Sequence, residues 1–378
     1  MSSALRPRAC AGCLRRAWLV ASLAGHIENA VEDAPGRRAR ELLALPDEEL
    51  ARAMARSKAS SFIERAAERD PARMLAAVAG SNAWASCRHD EVYPEALGDL
   101  GDAPAVIFGR GDPARLAEIS RNDVVTIVGS RRPSGYGRDV AKALGAEIAA
   151  SGFAVVSGMA MGIDSCAHEG ALGAGGLTVA VLGTGVDVPY PQRSTRLYEE
   201  IVERGVVIGE LPPGTQARRW TFPARNRIMA ALGAMTVVVE ARERSGSLIT
   251  ATMAQDLNRE VGAVPGRVGS SSAAGTNGLL HEGAHVIRGA QDVLDALVGP
   301  GVGRAPRVLT GPTLEPDLAS VLDLVERGAG SADALARGAH MDPGSLAAAL
   351  LRLELSGYVR SDSAGRYERT ALAAPGVA

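Results

Sequence analysis

Apolar positions fall into two rhythms along this chain. From residue 14 to about 80, leucines, alanines and methionines recur at three- and four-residue intervals, interrupted at Pro35-Gly36, Pro46-Asp47 and Asp70-Pro71. That spacing lines one face of a helix, and the proline pairs mark helix boundaries. A small all-helical module is therefore predicted over residues 1–83, with Asp47 as the expected N-cap of the helix that reads ELARAM. A helix-hairpin-helix-like or SAM-like packing is expected of it.

Beyond Trp84 the rhythm changes. Short extended pieces up to Asp112 lead into apolar runs near 124–128, 153–157, 177–182, 206–209, 235–240 and 260–264, each separated from the next by helical spacing. Continuously apolar strands that alternate with helices predict a parallel, doubly wound α/β sheet of the extended Rossmann type, covered on both faces, over residues 84–298. The glycine- and proline-dense stretch 299–313 reads as a linker. In 314–378, three helical stretches precede YVRSDSAGRYERT, which is the pattern of a winged helix, with Asp342-Pro343-Gly344 opening its third helix.

Composition narrows the function classes. A length of 378 residues with 46% hydrophobic and 22% charged positions suits two or three domains, and a net charge of −2 means that any nucleic-acid contact must come from arginines clustered within a site. The arginine-rich start has its apolar run broken by Arg15, Arg16 and His26, so it fits neither a secretory signal nor a span of about 20 apolar residues. A soluble, cytoplasmic protein without membrane contact is expected. The four cysteines, Cys10, Cys13, Cys87 and Cys166, are too few for a disulfide framework. Cys10 and Cys13 have half of a zinc-site spacing that Cys87 and His89 would complete, but without a second CxxC no metal is assigned.

The candidate chemistry lies at the strand ends. Gly129-Ser130-Arg131-Arg132-Pro133 joins a strand to a helix that contains Gly135 and Gly137. It has neither the spacing nor the lysine of a Walker A loop, and it lacks the third glycine of a dinucleotide fingerprint. Phosphate binding without ATP hydrolysis or hydride transfer is the reading, the alternative being glycines that serve only the turn. Ser157, Gly158 and Gly162 end the next strand in the same way, and Gly183-Thr184-Gly185 the third, so one shallow trough is expected along the sheet edge. Asp164 and His168 read as an N-cap and a helix-face histidine rather than a catalytic pair.

The run Arg218 to Arg227 holds four arginines and two aromatics in a chain with only 3% aromatic residues. Arg219, Phe222, Arg225, Asn226 and Arg227 are thus candidates for stacking unpaired bases and holding their backbone. The alternative is that the aromatics plug the core and the arginines form ion pairs. Ser245, Gly246 and Ser247 open a further helix and would hold an anion or simply cap it.

Taken together, IVGSRRPSGYG, VVSGMAMGIDSCAHEGAL, TVAVLGTGVDVPYP, GELPPGT, FPARNRIMAAL, VVVEARERSGSLITATMA and GTNGLLHEGA resemble the DNA-processing protein A (DprA/Smf) family over roughly residues 84 to 297. The C-terminal LLRLELSGYVR resembles the winged helix that many members carry. The resemblance implies a non-catalytic, cofactor-free protein that binds single-stranded DNA, forms homodimers and helps load the RecA recombinase on incoming DNA during natural transformation. It implies a DNA pocket in which Arg131 holds phosphate, Phe222 follows the arginine Arg219 by three positions, and Arg225-Asn226-Arg227 completes the motif. The wing carries Arg360, Arg366 and Arg369 but also Asp362 and Glu368, a balance that suits protein contact better than duplex DNA. The same Rossmann variety also resembles phosphoribohydrolases of nucleoside monophosphates. In their place of a Pro-Gly-Gly-x-Gly-Thr motif leading to a glutamate, this chain has Pro265-Gly266-Arg267-Val268-Gly269, which disfavours hydrolysis.

Overall fold

The computed structural model describes residues 7–31, 35–302, 313–361 and 365–370. Most of the expected linker, residues 303–312, and Asp362 of the wing lie outside the described residues. The strands are β1 (Trp84–Cys87), β2 (Val106–Gly111), β3 (Val124–Val128), β4 (Ala154–Ser157), β5 (Thr178–Leu182), β6 (Val206–Gly209), β7 (Met235–Val238), β8 (Glu260–Ala263), β9 (His285–Val286), β10 (Val359–Ser361) and β11 (Tyr367–Arg369).

Nine of them form one sheet in the order β1-β2-β6-β5-β4-β3-β7-β8-β9. The seven from β6 to β9 run parallel, as the alternation of strands and helices predicts. The extended lead-in becomes an antiparallel border of two strands, and the two-residue edge strand β9 had no periodic signal. Burial follows the pleat. Val125 and Ile127 of β3 pack under Leu144 and Ile148 of the helix Gly135–Ala150, while Val124 and Val128 face Met229 and Ala254 on the other side.

Five helices precede the sheet: Ala11–Ala30, Pro35–Leu43, Asp47–Ala55, Ala59–Ala67 and Pro71–Gly80. The first is apolar on two faces because it is covered on both. Leu14 and Ala17 pack with Phe108 of β2 and Val207 of β6, whereas Leu19, Leu23 and Ile27 share a cluster with Leu50 and Trp220. Asp47 does not cap its helix. Pro46 holds the N-cap position, and the Asp47 carboxylate is drawn instead to Arg16 at 2.7 Å.

At the C-terminal end, the helices Pro316–Glu326, Ala332–Ala339 and Pro343–Leu355 with the β10–β11 hairpin form the winged helix around Val321, Leu335, Leu350 and Tyr358. Asp342 caps the third helix, accepting from the N–H groups of Gly344 (2.9 Å) and Ser345 (3.1 Å), as its Asp-Pro-Gly start predicts. The wing's arginines are paired: Arg360 lies 3.6 Å from Glu368 of the wing and 3.1 Å from Asp139 on the helix Gly135–Ala150, and Arg369 lies 2.7 Å from Glu326. Among the described residues, no helix is long and apolar enough to cross a membrane.

Candidate nucleic-acid interface

Strand order reverses between β3 and β7, and in open α/β sheets that crevice is where ligands bind. Here a carboxylate of the protein itself fills it. Glu240, just past β7, accepts from the Ser134 N–H (3.1 and 3.2 Å) and the Ser134 hydroxyl (2.7 Å), and Ser134 in turn caps the helix Gly135–Ala150 through the Gly137 N–H (3.0 Å). A nucleotide phosphate placed at this helix start would meet a buried negative charge. The dinucleotide position is thus closed by electrostatics as well as by spacing.

The accessible groove lies beside it, along the ends of β4, β3 and β7. It is an open cleft of about 620 Å³ whose walls include Arg131, Arg132, Arg219, Phe222, Asn226, Arg242 and Arg244. The five arginines are exposed, and among the described residues none of them is ion-paired. Phe222 is half-buried, with the Arg131 guanidinium 5.6 Å from its ring centre and Tyr190 tilted against it at 5.1 Å. Tyr190 is 44% exposed, so an apolar shelf sits under a row of unneutralised cations. Tyr190, Arg242 and Arg244 were not singled out from sequence. The signals were the PYP that follows Gly183-Thr184-Gly185 and the ARER that precedes Ser245.

Helices outside the sheet hold this shelf in place. Trp220 is buried and donates its indole N–H to the Ala24 carbonyl (3.1 Å). The Glu28 carboxylate accepts the backbone N–H groups of Arg219 (3.1 Å) and Trp220 (3.4 Å), at the positive end of the helix Thr221–Leu232. Phe222 and Arg219 are aimed by that anchor.

Several predicted contact residues also make structural bonds, and the buried Ser157 and Arg227 are corrections, because neither lines the groove. Ser157 is buried and donates to the Ile127 carbonyl (2.6 Å), tying β4 to β3. Gly158 lies flat on the Arg225 guanidinium, and Gly162, with φ of 87°, packs on the Ser130 carbonyl, so the two turns brace one another. Arg225 is 6% exposed. It donates to the Val181 carbonyl (2.5 Å) and to Asn226 Oδ1 (3.0 Å), and burial, partly offset by Asp164, lowers its pKa to about 10, which leaves it charged at neutral pH.

Arg227 is fully buried and belongs to the core. Its Nε lies 2.8 Å from the Asp102 carboxylate and donates to the Asp102 carbonyl (3.3 Å), and its Nη2 lies 2.9 Å from Glu210. Burial works against its charge, yet Glu210 and Asp102 together raise its pKa above the ordinary value. Ser245 caps its helix, accepting from the Ser247 N–H (3.4 Å) and sharing a hydrogen bond with the Ser247 hydroxyl (2.7 Å). Trp220 and Arg227 thus serve the core, while Gly129, Ser130, Arg131, Arg132, Arg219, Phe222, Arg225, Asn226, Ser245, Gly246 and Ser247 line the groove.

Asp164 sits inside its helix, whose N-cap is Gly162, and is buried 3.9 Å from Arg225. Burial raises its pKa, against the pull of Arg225. His168 is buried on the same helix. Thr178 donates its hydroxyl to the Val155 carbonyl (2.8 Å), so it accepts at 2.7 Å from His168 Nδ1–H, which puts a proton on that nitrogen.

Burial lowers the His168 pKa to about 3, from 6.5. The unfolded chain therefore binds more protons than the native one below pH 6.5, and stability present above that pH is lost as pH falls toward 3, by up to about tenfold in folding constant per pH unit. Asp164, whose folded pKa is raised, opposes this above its ordinary value of 3.8. Urea midpoints at pH 7.5 and 5.5 should show the loss, and His168→Gln should flatten it.

Residues 84–298 match the family described as DNA recombination-mediator protein A. The chain belongs to that family. Residues 305–365 match the DprA winged helix domain. The DNA processing protein DprA of Streptococcus pneumoniae is 41% identical over 207 residues, covering 54% of this chain and 71% of the relative. Protein Smf of Synechocystis sp. is 33% identical over 312 residues, covering 74% and 78%. The X-ray structure of DNA processing protein A from Streptococcus pneumoniae aligns with a TM-score of 0.60 at 32% identity, over 76% of this chain and 96% of that one. As a member of the DNA recombination-mediator protein A family, the chain carries the sheet and most of the groove within the family match, while Glu28 and Ala24, which anchor the groove, precede it.

Proposed function

We propose that this protein is a single-stranded DNA-binding recombination mediator without catalytic activity. The observation that carries the proposal is the groove of five unpaired arginines around the Phe222–Tyr190 shelf. Cations spaced along an open cleft suit a chain of phosphates, and an exposed aromatic face suits bases that are already unstacked. Backbone contact and stacking carry little sequence information, so preference among oligonucleotides is slight. The filled phosphate position at Glu240 and the burial of Asp164 and His168 speak against a nucleotide hydrolase. In a base-release assay, turnover of nucleoside monophosphates abolished by a groove substitution would move the protein to that class.

The remainder of the proposal follows the family resemblance. The protein acts as a homodimer in the cytoplasm and helps load RecA on incoming strands in natural transformation, with the wing, whose Arg360 and Arg369 are already ion-paired, serving protein contact. The test of the binding step is a titration of labelled oligothymidine and blunt duplex at several salt concentrations. Log affinity for the single strand should fall with log salt at about −0.7 per neutralised phosphate. Arg131→Ala should reduce that slope by about 0.7 and weaken all sequences alike. A slope near zero, or equal affinity for duplex, would overturn the proposal.

A further inference from the structure

The chain places three cysteines and a histidine at one point, far from the groove. Cys10 is the N-cap of the helix Ala11–Ala30 and Cys13 lies in its first turn, while Cys87 ends β1 and His89 stands in the turn that follows. One ligand atom from each lies within 4.8 Å of all the others. His89 Nδ1 is 3.6 Å from Cys10 Sγ, 3.8 Å from Cys13 Sγ and 3.6 Å from Cys87 Sγ. We propose that these four residues hold one structural zinc ion.

The geometry argues for a shared ion rather than hydrogen bonds. Nδ1 of a neutral imidazole makes one hydrogen bond, by donating its proton or through a single lone pair, so hydrogen bonding gives no reason for three sulfurs to stand at nearly the same distance from it. A tetrahedral ion does give one. With zinc about 2.3 Å from sulfur and about 2.0–2.1 Å from nitrogen, the edge between a sulfur and the nitrogen is about 3.6 Å. A disulfide would use two sulfurs and leave the third beside the histidine without a role. Three thiolates and one imidazole form a closed set of soft ligands, which is the composition of structural rather than catalytic zinc.

The surroundings are built for such an ion. The Cys10 N–H points at Cys87 Sγ (3.3 Å), as backbone amides do toward metal-bound thiolates. The preceding residues run along the free edge of β1, with the Ala9 N–H donating to the Ala85 carbonyl (3.0 Å) and the Arg8 N–H to Asp90 (2.5 Å). Asp90 also accepts from the Ser86 hydroxyl (3.1 Å) and the Val92 N–H (2.9 Å), which stiffens the turn that presents His89. The missing second CxxC is replaced by Cys87-x-His89, a pair that only the approach of β1 to the first helix completes. Zinc here would pin the helix that carries Ala24 and Glu28 to the border of the sheet, closing a loop between positions 77 apart.

The test is the metal content of the full-length, tag-free protein purified under reducing conditions, together with its cobalt-substituted spectrum. One zinc per chain is expected, along with the visible d–d bands of tetrahedral cobalt thiolate. Cys10→Ser and His89→Ala alter exposed ligands and should keep the native circular dichroism while zinc occupancy falls or is retained only weakly against a chelator. Substoichiometric metal with a featureless cobalt spectrum would overturn the proposal. So would full, chelator-resistant zinc in a Cys10→Ser/Cys13→Ser double variant, or iron in place of zinc. These readouts do not depend on DNA binding, so the metal site and the proposed function fail separately.

Discussion

Phe222→Ala is expected to weaken single-stranded DNA binding by about 1–3 kcal/mol, the usual worth of one base stacked on an aromatic side chain. That corresponds to roughly 5- to 150-fold in Kd. The ring is half-buried, braced by Tyr190 on one side and lying beneath Arg131, so it is held in place before any ligand arrives. Its truncation removes the stacking face and also the ring beneath the guanidinium, a cation–π contact worth about 0.5–1 kcal/mol at an exposed site. Anisotropy titrations with labelled oligothymidine should show the loss at every salt concentration with little change in slope, because stacking releases no counterions. Phe222→Trp should retain most of the affinity. Unchanged binding by Phe222→Ala would remove the stacking role.

Arg227→Ala should leave the groove untouched and damage the fold. The guanidinium is fully buried between the Asp102 carboxylate, the Glu210 carboxylate and two backbone carbonyls, those of Asp102 and Ala224. Removing one partner of such a buried network strands the others, and the expected cost is about 3–5 kcal/mol of stability. Asp102 suffers most. It is 6% exposed, and its other cation, Arg40, is 3.6 Å away. Lysine has no planar fork to span both acids, so Arg227→Lys should recover only part of the loss. Urea denaturation reads the change. The affinity of the folded fraction for oligothymidine should match that of the parent protein, whereas a direct phosphate contact by Arg227 would lower it.

These two residues belong to one motif, five positions apart on a single helix, and the sequence presents them as equals. What separates them is where the helix turns each side chain. Phe222 faces the open strand ends, whereas Arg227 faces the sheet border, where the acids come from residues 102 and 210. No local pattern contains that distinction, because the partners are remote in sequence. For the same reason Tyr190, Arg242 and Arg244 escaped notice: each is an ordinary loop residue until strand order brings its turn to the groove.

The layered α/β sheet, the positions of its central parallel strands and the three helices with a hairpin at the C-terminal end were legible in the sequence alone. They follow from the period of the apolar positions, and burying those positions leaves few arrangements open. Glycine turns and arginines at the ends of successive strands also placed the site on one edge, since parallel strands share a carboxyl end. Tertiary structure decided which of those residues stay free. It put Glu240 where a nucleotide phosphate would go and drew Arg225, Arg227 and Trp220 into the protein. It also set Cys10 and Cys13 against Cys87 and His89. Each of these outcomes depends on distance between remote segments, and neither charge nor coordination is settled until those segments meet.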